Sequence, residues 1–249
     1  MKIELIIIGD EILSGRRQDV HLQHSISLLA PLGHELIASH TIGDTPRQIV
    51  QCIQQTINNE SDVVFCFGGI GATPDDHTRA CAAQAFEQAL VRHPEAAREI
   101  EGKFGEAAYP HRIHMADLPQ QATLIPNPYN RVPGFSLGDH HFLPGFPQMA
   151  GPMMSWVLEN RYRASPVKQE IALRIVSGHE SDYIETMKRL IAKFPDIKLA
   201  SLPVIKERER YVDFVLKGQD PQLSAARQEM IVAIQANGDQ WEQMYDGKM

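Results

Sequence analysis

Residues 66–78 read Cys-Phe-Gly-Gly-Ile-Gly-Ala-Thr-Pro-Asp-Asp-His-Thr and form the densest pattern in the chain. The apolar run at 62–67 predicts a buried strand that leads into three glycines, and 73–76 predicts the capped, acidic start of a helix. Glycines let backbone N–H groups approach a ligand, and a helix N-terminus favours an anion by about 0.3–1 kcal/mol. The Lys-Ser/Thr of a P-loop and the G-x-G-x-x-G spacing of a dinucleotide fold are absent. The stretch therefore predicts either a phosphate cradle or an ordinary glycine-rich turn.

Strand and helix signals alternate on both sides of this stretch. Strand-like runs occupy 2–8 and 35–41, a helical stripe ends near Gly33, and a capping-box pattern at 45–48 opens a helix over 46–57. Later patterns predict a helix at 94–105, a hairpin at 135–143 that turns at Gly138-Asp139, and a helix at 148–158. This order is typical of an α/β fold with a parallel sheet covered by helices on both faces. Ligands of such sheets bind where strand carboxyl ends meet helix N-termini.

A second, smaller unit follows a linker-like segment at 163–166. Its patterns predict a strand at 168–176, a helix at 180–194, two strands at 198–205 and 211–217 around a charged turn at 206–210, and a helix at 221–235. We therefore expect two domains, at 1–164 and 165–249, the second a small α+β domain of order βαββα. It contains no cofactor motif.

Composition limits the class of protein. The chain has 249 residues, of which 43% are hydrophobic and 22% charged, as in ordinary globular proteins. A net charge of −7 and the absence of a Lys/Arg run argue against nucleic acid or a membrane surface as partner. No apolar stretch reaches the roughly 18 residues of a membrane span, and charged neighbours exclude a signal peptide at 5–8. Three separated cysteines, Cys52, Cys66 and Cys81, indicate a reducing cytoplasm and buried thiols.

Five carboxylates stand at three predicted strand–helix junctions. Asp10 and Glu11 follow the first strand, Asp44 precedes the second main helix, and Asp75 and Asp76 follow the glycines. Carboxylates repel a bare diphosphate, yet they suit a divalent cation that bridges to phosphate oxygens. A helix-capping charge explains Asp76 and Asp44, but it does not explain Asp10 and Glu11. We therefore expect a cation-assisted diphosphate site at this edge of the sheet.

Four blocks of the sequence resemble a known family in their order and spacing. They are similar to the N-terminal region of competence/damage-inducible protein A (CinA), a member of the MoaB/Mog molybdopterin-binding superfamily. The resemblance covers about residues 1–160, and the small second unit resembles the domain that follows in CinA. The blocks are Gly9-Asp10-Glu11-Ile12-Leu13-x-Gly15, Gly68-Gly69-x-Gly71-x-Thr73-x-Asp75-Asp76-x-Thr78, Asn127-Pro128 and Leu143-Pro144-Gly145-x-Pro147.

The resemblance implies a three-layer α/β/α sandwich that binds a nucleotide diphosphate or a pterin across the glycine-rich stretch. It implies metal-dependent hydrolysis of ADP-ribose to AMP and ribose 5-phosphate, with Mg²⁺, Mn²⁺ or Co²⁺, in a homo-oligomer such as a dimer or trimer. By motif alignment the catalytic aspartates are Asp44 and Asp76, with Asp10, Glu11 and Asp75 as metal candidates. The ligand-binding residues that it implies are Gly9, Gly15, Gly68, Gly69, Gly71, Thr73, Thr78, Asn127, Pro144 and Gly145.

The sequence departs from the family pattern at three places. His21 replaces the usual Asn, residues 129–132 add bulk and the positive charge of Arg131, and Gln148 stands where an acid is usual. Two alternatives therefore stay open: adenylyl transfer to molybdopterin, and a non-catalytic domain that binds a nucleotide, molybdopterin or a partner protein. Many CinA proteins carry a further amidohydrolase domain that acts on nicotinamide mononucleotide. This chain ends at Met249 without it, so that reaction is not expected.

Overall fold

The computed structural model describes residues 1–176, 178–206 and 209–247. It divides into two compact units, Met1–Ser165 and Pro166–Met249, so the break falls within the segment predicted as a linker. The charged turn predicted at 206–210 includes residues 207 and 208, which lie outside the described part. Each unit has its own apolar core.

The first unit alternates strands and helices as the sequence predicts. The elements are β1 (Lys2–Ile8), α1 (Asp10–Leu13), α2 (His21–Leu29), β2 (Glu35–Ile42), α3 (Pro46–Ile57), β3 (Val63–Phe67), α4 (Thr78–Ala85), β4 (Leu90–Arg92), α5 (Pro94–Phe104), β5 (Asp117–Pro119), β6 (Thr123–Ile125), β7 (Gly134–Leu137), β8 (His140–Leu143) and α6 (Pro147–Arg161). The sheet has the order β2-β1-β3-β8-β7-β6, in which the first four strands are parallel and β7 is antiparallel to both of its neighbours. The short strands β4 and β5 form a separate ladder that the sequence did not predict.

Helices cover both faces of this sheet, which confirms the three-layer α/β/α sandwich. Side chains of α3, α4 and α5 pack on one face and those of α2 and α6 on the other. Residues 5–8 of β1 are all apolar because both faces of the strand are buried. Ile6 and Ile8 pack in the core beneath α3, α4 and α5, while Leu5 and Ile7 pack in the core beneath α2 and α6. Burying each such side chain contributes roughly 1.5–3 kcal/mol, so the central strands fix the frame of the sheet.

Helix α4 begins later than the sequence predicts. The prediction that 73–76 opens a helix is wrong, because these residues close a turn in which Asp76 Oδ2 accepts hydrogen bonds from the Thr73 backbone N–H and hydroxyl. The helix starts at Thr78, whose N–H donates to the Gly69 carbonyl at 2.9 Å. The acidic pair therefore belongs to a loop at the sheet edge.

Helix α3 begins at Pro46 as predicted, but the capping box does not form. The Thr45 side chain makes no capping hydrogen bond. Instead its backbone carbonyl accepts from the N–H groups of Gln48 and Ile49, at 2.9 and 3.1 Å. The backbone conformation that Pro46 favours is enough to start this helix.

The second unit is a four-stranded antiparallel sheet of order β10-β11-β9-β12, and α7 and α8 share one core with it. Strand β12 was not predicted, because 240–247 is largely polar and shows no apolar alternation. The predicted helix at 180–194 begins with a 3₁₀ turn at Glu180–Tyr183. The elements are β9 (Gln169–Val176), α7 (Ile184–Lys193), β10 (Lys198–Lys206), β11 (Glu209–Gly218), α8 (Gln222–Ala236) and β12 (Gln240–Gly247).

All three cysteines are free and buried, in agreement with the sequence. Burial raises the pKa of the Cys52 and Cys81 thiols to about 11, and it raises that of Cys66 well above the usual range. Thiols that stay protonated at neutral pH are poor nucleophiles. Within the described residues, no helix is long and apolar enough to cross a membrane.

Candidate functional site

A cavity of about 420 Å³ opens where the parallel strands end. Its wall includes the residues that follow β1, β3 and β8, which is the edge where the sequence places the ligand. Three predicted site residues, Asp10, Gly15 and Thr78, do not line it. Those that do are Gly9, Glu11, Asp44, Gly68, Gly69, Gly71, Thr73, Asp75, Asp76, Asn127, Pro144 and Gly145.

The glycine-rich turn requires glycine for steric reasons. Gly68 and Gly69 have φ values of +107° and +66°, in the region that side chains disfavour. A Cβ at 68 would lie 2.3 Å from the Ile8 carbonyl oxygen, and one at 69 would lie 2.3 Å from Thr78 Oγ1. On the opposite wall, a Cβ at 145 would lie 3.3 Å from the Gly68 Cα. The backbone is thus packed closely on its inner side and leaves its outer side to the cavity.

Thr78 supports this turn from below. It is fully buried, and its hydroxyl finds no hydrogen-bond partner among the described residues. Because its side chain lies against Gly69 and not in the cavity, the prediction that Thr78 contacts a ligand is not supported by its position. Gly15 likewise lies outside the cavity wall, with a φ of +72°.

Asp76 lies beneath the end of the same turn. Its Oδ2 accepts from both Thr73 donors, and a Cβ at 71 would meet that oxygen at 2.6 Å. The neighbouring Asp75 is exposed at the cavity mouth. Adjacent in sequence, the two carboxylates therefore differ in role: Asp76 shapes the loop, and Asp75 faces solvent.

Asp10 and Asp44 exchange two hydrogen bonds, each from the backbone N–H of one residue to the carboxylate of the other. The Asp10 N–H donates to Asp44 Oδ2 at 2.8 Å, and the Asp44 N–H donates to Asp10 Oδ1 at 3.3 Å. A Cβ at 43 would lie 2.4 Å from the same Asp10 oxygen, so Gly43 makes room for this contact. Asp10 is thereby directed toward the loop after β2, which is why it does not line the cavity.

Asp44 lies in a region of negative potential. Burial raises the pKa of its carboxyl, and the charges of Asp10, Glu11 and Asp75 raise it further, against the lowering effect of the Asp10 N–H. Among the described residues, no group of three His, Cys, Asp or Glu side chains is placed to hold a metal ion. A cation here would therefore need ligand oxygens to complete its coordination.

Asp44→Asn is expected to stabilise the ligand-free protein at pH 7. A raised pKa in the folded state means that stability is lost as pH rises through that pKa, so removing the ionised group restores it. The amide oxygen can still accept from Asp10. We expect the melting temperature to rise by about 1–3 °C at pH 7, with a smaller difference near pH 4. Glu60→Gln, which removes an exposed carboxylate elsewhere, should leave the melting temperature unchanged at both pH values.

Arg79, which the sequence did not indicate, fixes the far end of the turn. Its guanidinium is buried and donates to the carbonyls of Gly71 at 2.8 Å, Asp117 at 3.1 Å and His114. Burial lowers its pKa. One arginine therefore ties the glycine-rich turn to β5, and the partners are too far along the chain to form a local motif.

Arg79→Leu should lower the free energy of unfolding of the first unit by about 2–4 kcal/mol, because three carbonyls lose the buried guanidinium that donates to them. Arg79→Lys should fall between this variant and the wild type. Urea unfolding measures the difference, with Arg98→Leu on the exposed side of α5 as control. Equal stability of the Leu variants at 79 and 98 would contradict this role.

The structure gives a position to each residue that departs from the family pattern. His21 is stacked on Phe67 with ring centroids 4.5 Å apart, and its Nε2–H donates to the Gly145 carbonyl at 3.2 Å. Burial lowers its pKa, so His21 holds the far wall as a neutral side chain. The charge expected from Arg131 is not in the cavity, because its Nε donates to Glu99 at 2.9 Å. Gln148 is exposed near the start of α6.

Asn127 organises its own loop. Its Nδ2 donates to Asn130 Oδ1 and to the Val132 carbonyl, at 2.8 and 2.9 Å, while its Oδ1 accepts from the Tyr129 and Asn130 N–H groups. It lines the cavity with a side chain already engaged, so it shapes the wall. The other residues of the wall that the sequence did not indicate are Ile8, Arg17, Ile70, Ala72, Phe104, Met115, Asn130, Val132, Phe146 and Met149.

The fold and the cavity define an α/β domain with a candidate small-molecule site where its parallel strands end. Residues 4–164 match the family described as "Probable molybdopterin binding domain". The chain therefore belongs to this family, the MoaB/Mog domains, and its relatives are CinA-like.

Three matches illustrate the relationship. A CinA-like protein of Gemmatimonas aurantiaca is 28% identical over 217 residues, 82% of this chain and 50% of the relative. A CinA-like protein of Syntrophotalea carbinolica is 33% identical over 155 residues, 59% of this chain and 37% of the relative. A crystal structure of the protein CinA, of unknown function, from Thermoplasma acidophilum has a TM-score of 0.60 at 26% identity, covering 65% of this chain and 99% of that one. The chain spans about half the length of the curated relatives it matches.

Proposed function

We propose that the cavity binds a nucleoside diphosphate-linked sugar, with ADP-ribose as the example, and hydrolyses its diphosphate with the help of a divalent cation. The observation that carries the proposal is a single cavity lined by a glycine turn, by Asp44 and Asp76 and by an apolar wall. A glycine turn suits phosphate oxygens because its backbone N–H groups can be approached closely, and the apolar wall suits a base.

Binding would be divided between the two ends of the cavity. The Gly68 N–H already donates to the Leu143 carbonyl and the Thr73 N–H to Asp76 Oδ2, so the N–H groups of residues 69–72 would hold the diphosphate. Gly145, supported by His21, would close the other side. Phe104, Met115 and Met149 offer the apolar surface that a planar base needs. The volume of about 420 Å³ lies within the range of small-molecule sites.

The carboxylates suit a divalent cation whose remaining coordination positions are filled by oxygens of the ligand. Mg²⁺ commonly takes one or two carboxylates together with substrate phosphate oxygens, and Asp76 with Asp75 at the mouth would provide that set. When bound, such a cation neutralises phosphate charge. Asp44 would orient the attacking water and accept its proton. Asp76 would keep the turn in its binding conformation through Oδ2, and its negative charge would help to hold the cation.

The test is incubation of the purified protein with ADP-ribose and Mg²⁺, Mn²⁺ or Co²⁺, followed by chromatography for AMP. AMP should form with at least one metal, and no AMP should form when a chelator is present from the start. Absence of AMP with every metal would overturn the proposal.

Adenylyl transfer to molybdopterin is the second candidate, because the matched family is described as molybdopterin-binding. It needs the same diphosphate chemistry at the same loop. Consumption of ATP only in the presence of molybdopterin would favour it over hydrolysis. Ligand binding without turnover of either kind would favour the non-catalytic alternative.

Self-association as a dimer or trimer stays a prediction, which sedimentation velocity measures.

A further inference from the structure

Arg17 is the one cation among the described residues that line the cavity. It follows α1 in the loop after the first strand. Its guanidinium carbon lies 5.9 Å from the centroid of the Phe146 ring, and its Nη1 lies 4.0 Å from Glu11 Oε1. The loop after β1 and the loop after β8 therefore meet at this side chain.

Both contacts of Arg17 are weak enough to be exchanged. The Arg17 and Glu11 side chains are 55% and 44% exposed, and such pairs contribute about 0–1 kcal/mol. A separation of 4.0 Å is also longer than a charge-assisted hydrogen bond. The cation–π contact with Phe146 limits how far the guanidinium can move without occupying its N–H donors.

Arg17 is a positive charge on a cavity wall that otherwise carries carboxylates. Glu11, Asp44, Asp75 and Asp76 are all on the wall, so a bare diphosphate would meet four carboxylates and a single cation. Arginine binds phosphate with two parallel N–H donors, which a carboxylate can also accept. Glu11 therefore stands next to Arg17 as a competing anion, at a separation that leaves the guanidinium donors available to a phosphate.

We propose that Arg17 is the anion-binding residue of the cavity and that Glu11 is its internal competitor, which a ligand phosphate displaces. This inference rests on the proposed function for the identity of the ligand as a nucleoside diphosphate, but not on its hydrolysis. It assigns Glu11 a role different from metal coordination. The Glu11 carboxylate lies over Gly9, where a Cβ would lie 2.6 Å from Glu11 Oε2, and among the described residues no group of three His, Cys, Asp or Glu side chains is placed to hold a metal ion.

The experiment is isothermal titration calorimetry with two probes that resist hydrolysis, α,β-methylene-ADP and methylenediphosphonate. Titrations are made in EDTA and in Mg²⁺. The variants are Arg17→Gln, Arg17→Lys and Glu11→Gln. Arg16→Gln is the matched control, because it removes the same charge from an exposed neighbour that does not line the cavity.

Arg17→Gln should weaken the binding of both probes at least tenfold in EDTA, Arg17→Lys should weaken it less, and Arg16→Gln should change it less than twofold. Glu11→Gln should tighten binding in EDTA about threefold to tenfold. Equal effects at 16 and 17, weaker binding by Glu11→Gln, or no binding of either probe to the wild type would overturn the inference. If Glu11→Gln weakened probe binding only in Mg²⁺, Glu11 would be identified as a metal ligand, and the inference would be overturned as well. Because turnover is not measured, failure of the hydrolysis assay leaves these outcomes unaffected.

Discussion

Asp44→Asn and Asp76→Asn are each expected to lower the rate of metal-dependent ADP-ribose hydrolysis by about 10²–10³-fold, the range for loss of one preorganised electrostatic group. Both substitutions remove a charge and keep an oxygen that accepts the existing backbone hydrogen bonds, from Asp10 and from Thr73. The loops should therefore keep their shape, while each variant loses a charge that we propose to orient water, at Asp44, or to hold the cation, at Asp76. Steady-state rates of AMP release, measured with each active metal, give the comparison.

The two variants are expected to differ in a way that separates their roles. Asp44→Asn should lower kcat and raise the melting temperature at pH 7, as argued from its raised pKa. Asp76→Asn should not stabilise the protein, because its carboxylate is engaged by Thr73. Glu60→Gln is the control, since its side chain is 91% exposed and lies before β3, at the other end of the strand. Full turnover in Asp76→Asn would contradict its place in the site.

Gly68→Ala should destabilise the first unit by about 2–4 kcal/mol and abolish ligand binding. A Cβ there would lie 2.3 Å from the Ile8 carbonyl oxygen, and the φ of +107° is unfavourable for alanine. Since Ile8 belongs to a central strand, its backbone cannot retreat without breaking the ladder with its neighbours. The turn must then open, which moves the N–H groups that face the cavity.

Gly102→Ala provides the matched control for this substitution. Gly102 lies within α5, and a Cβ there meets only Arg131, at an ordinary 3.5 Å. Replacing a helical glycine by alanine stabilises by roughly 0.5–1 kcal/mol. Denaturant unfolding should therefore show opposite signs at the two positions. Unchanged stability in Gly68→Ala would show that the turn is more adaptable than its packing indicates.

The sequence was sufficient for the frame of the first unit. Strand β1 has the predicted bounds because both of its faces enter apolar cores, and the hairpin of β7 and β8 turns at the predicted Gly138-Asp139. Strand β12 could not be found in this way, because its sequence is polar and its pairing with β9 is a long-range contact. The start of α4 was misplaced because Asp76 bonds back to Thr73 and closes a turn, although the local pattern equally fits a helix cap.

The site residues show the same difference between local motifs, which the sequence predicts, and long-range contacts, which it does not. Its glycines and carboxylates form local motifs, so twelve of the fifteen predicted residues are found on one cavity wall. Arg79 and Arg17 have no such signal: Arg79 contacts carbonyls 35 and 38 residues away, and Arg17 meets Phe146 from a loop on another strand. Asp10 was assigned to metal, but its bond to the Asp44 N–H directs it to a neighbouring loop. These roles depend on which loops the sheet brings together.

A crystal structure with Mg²⁺ and a non-hydrolysable ADP-ribose analogue is the most direct test of the central claim. The diphosphate should lie against the backbone of 68–73, within about 5 Å of the Asp44 and Asp76 carboxylates, with a metal ion between carboxylate and phosphate oxygens. A diphosphate bound away from the glycine turn, or bound there with both aspartates remote from it, would contradict the account.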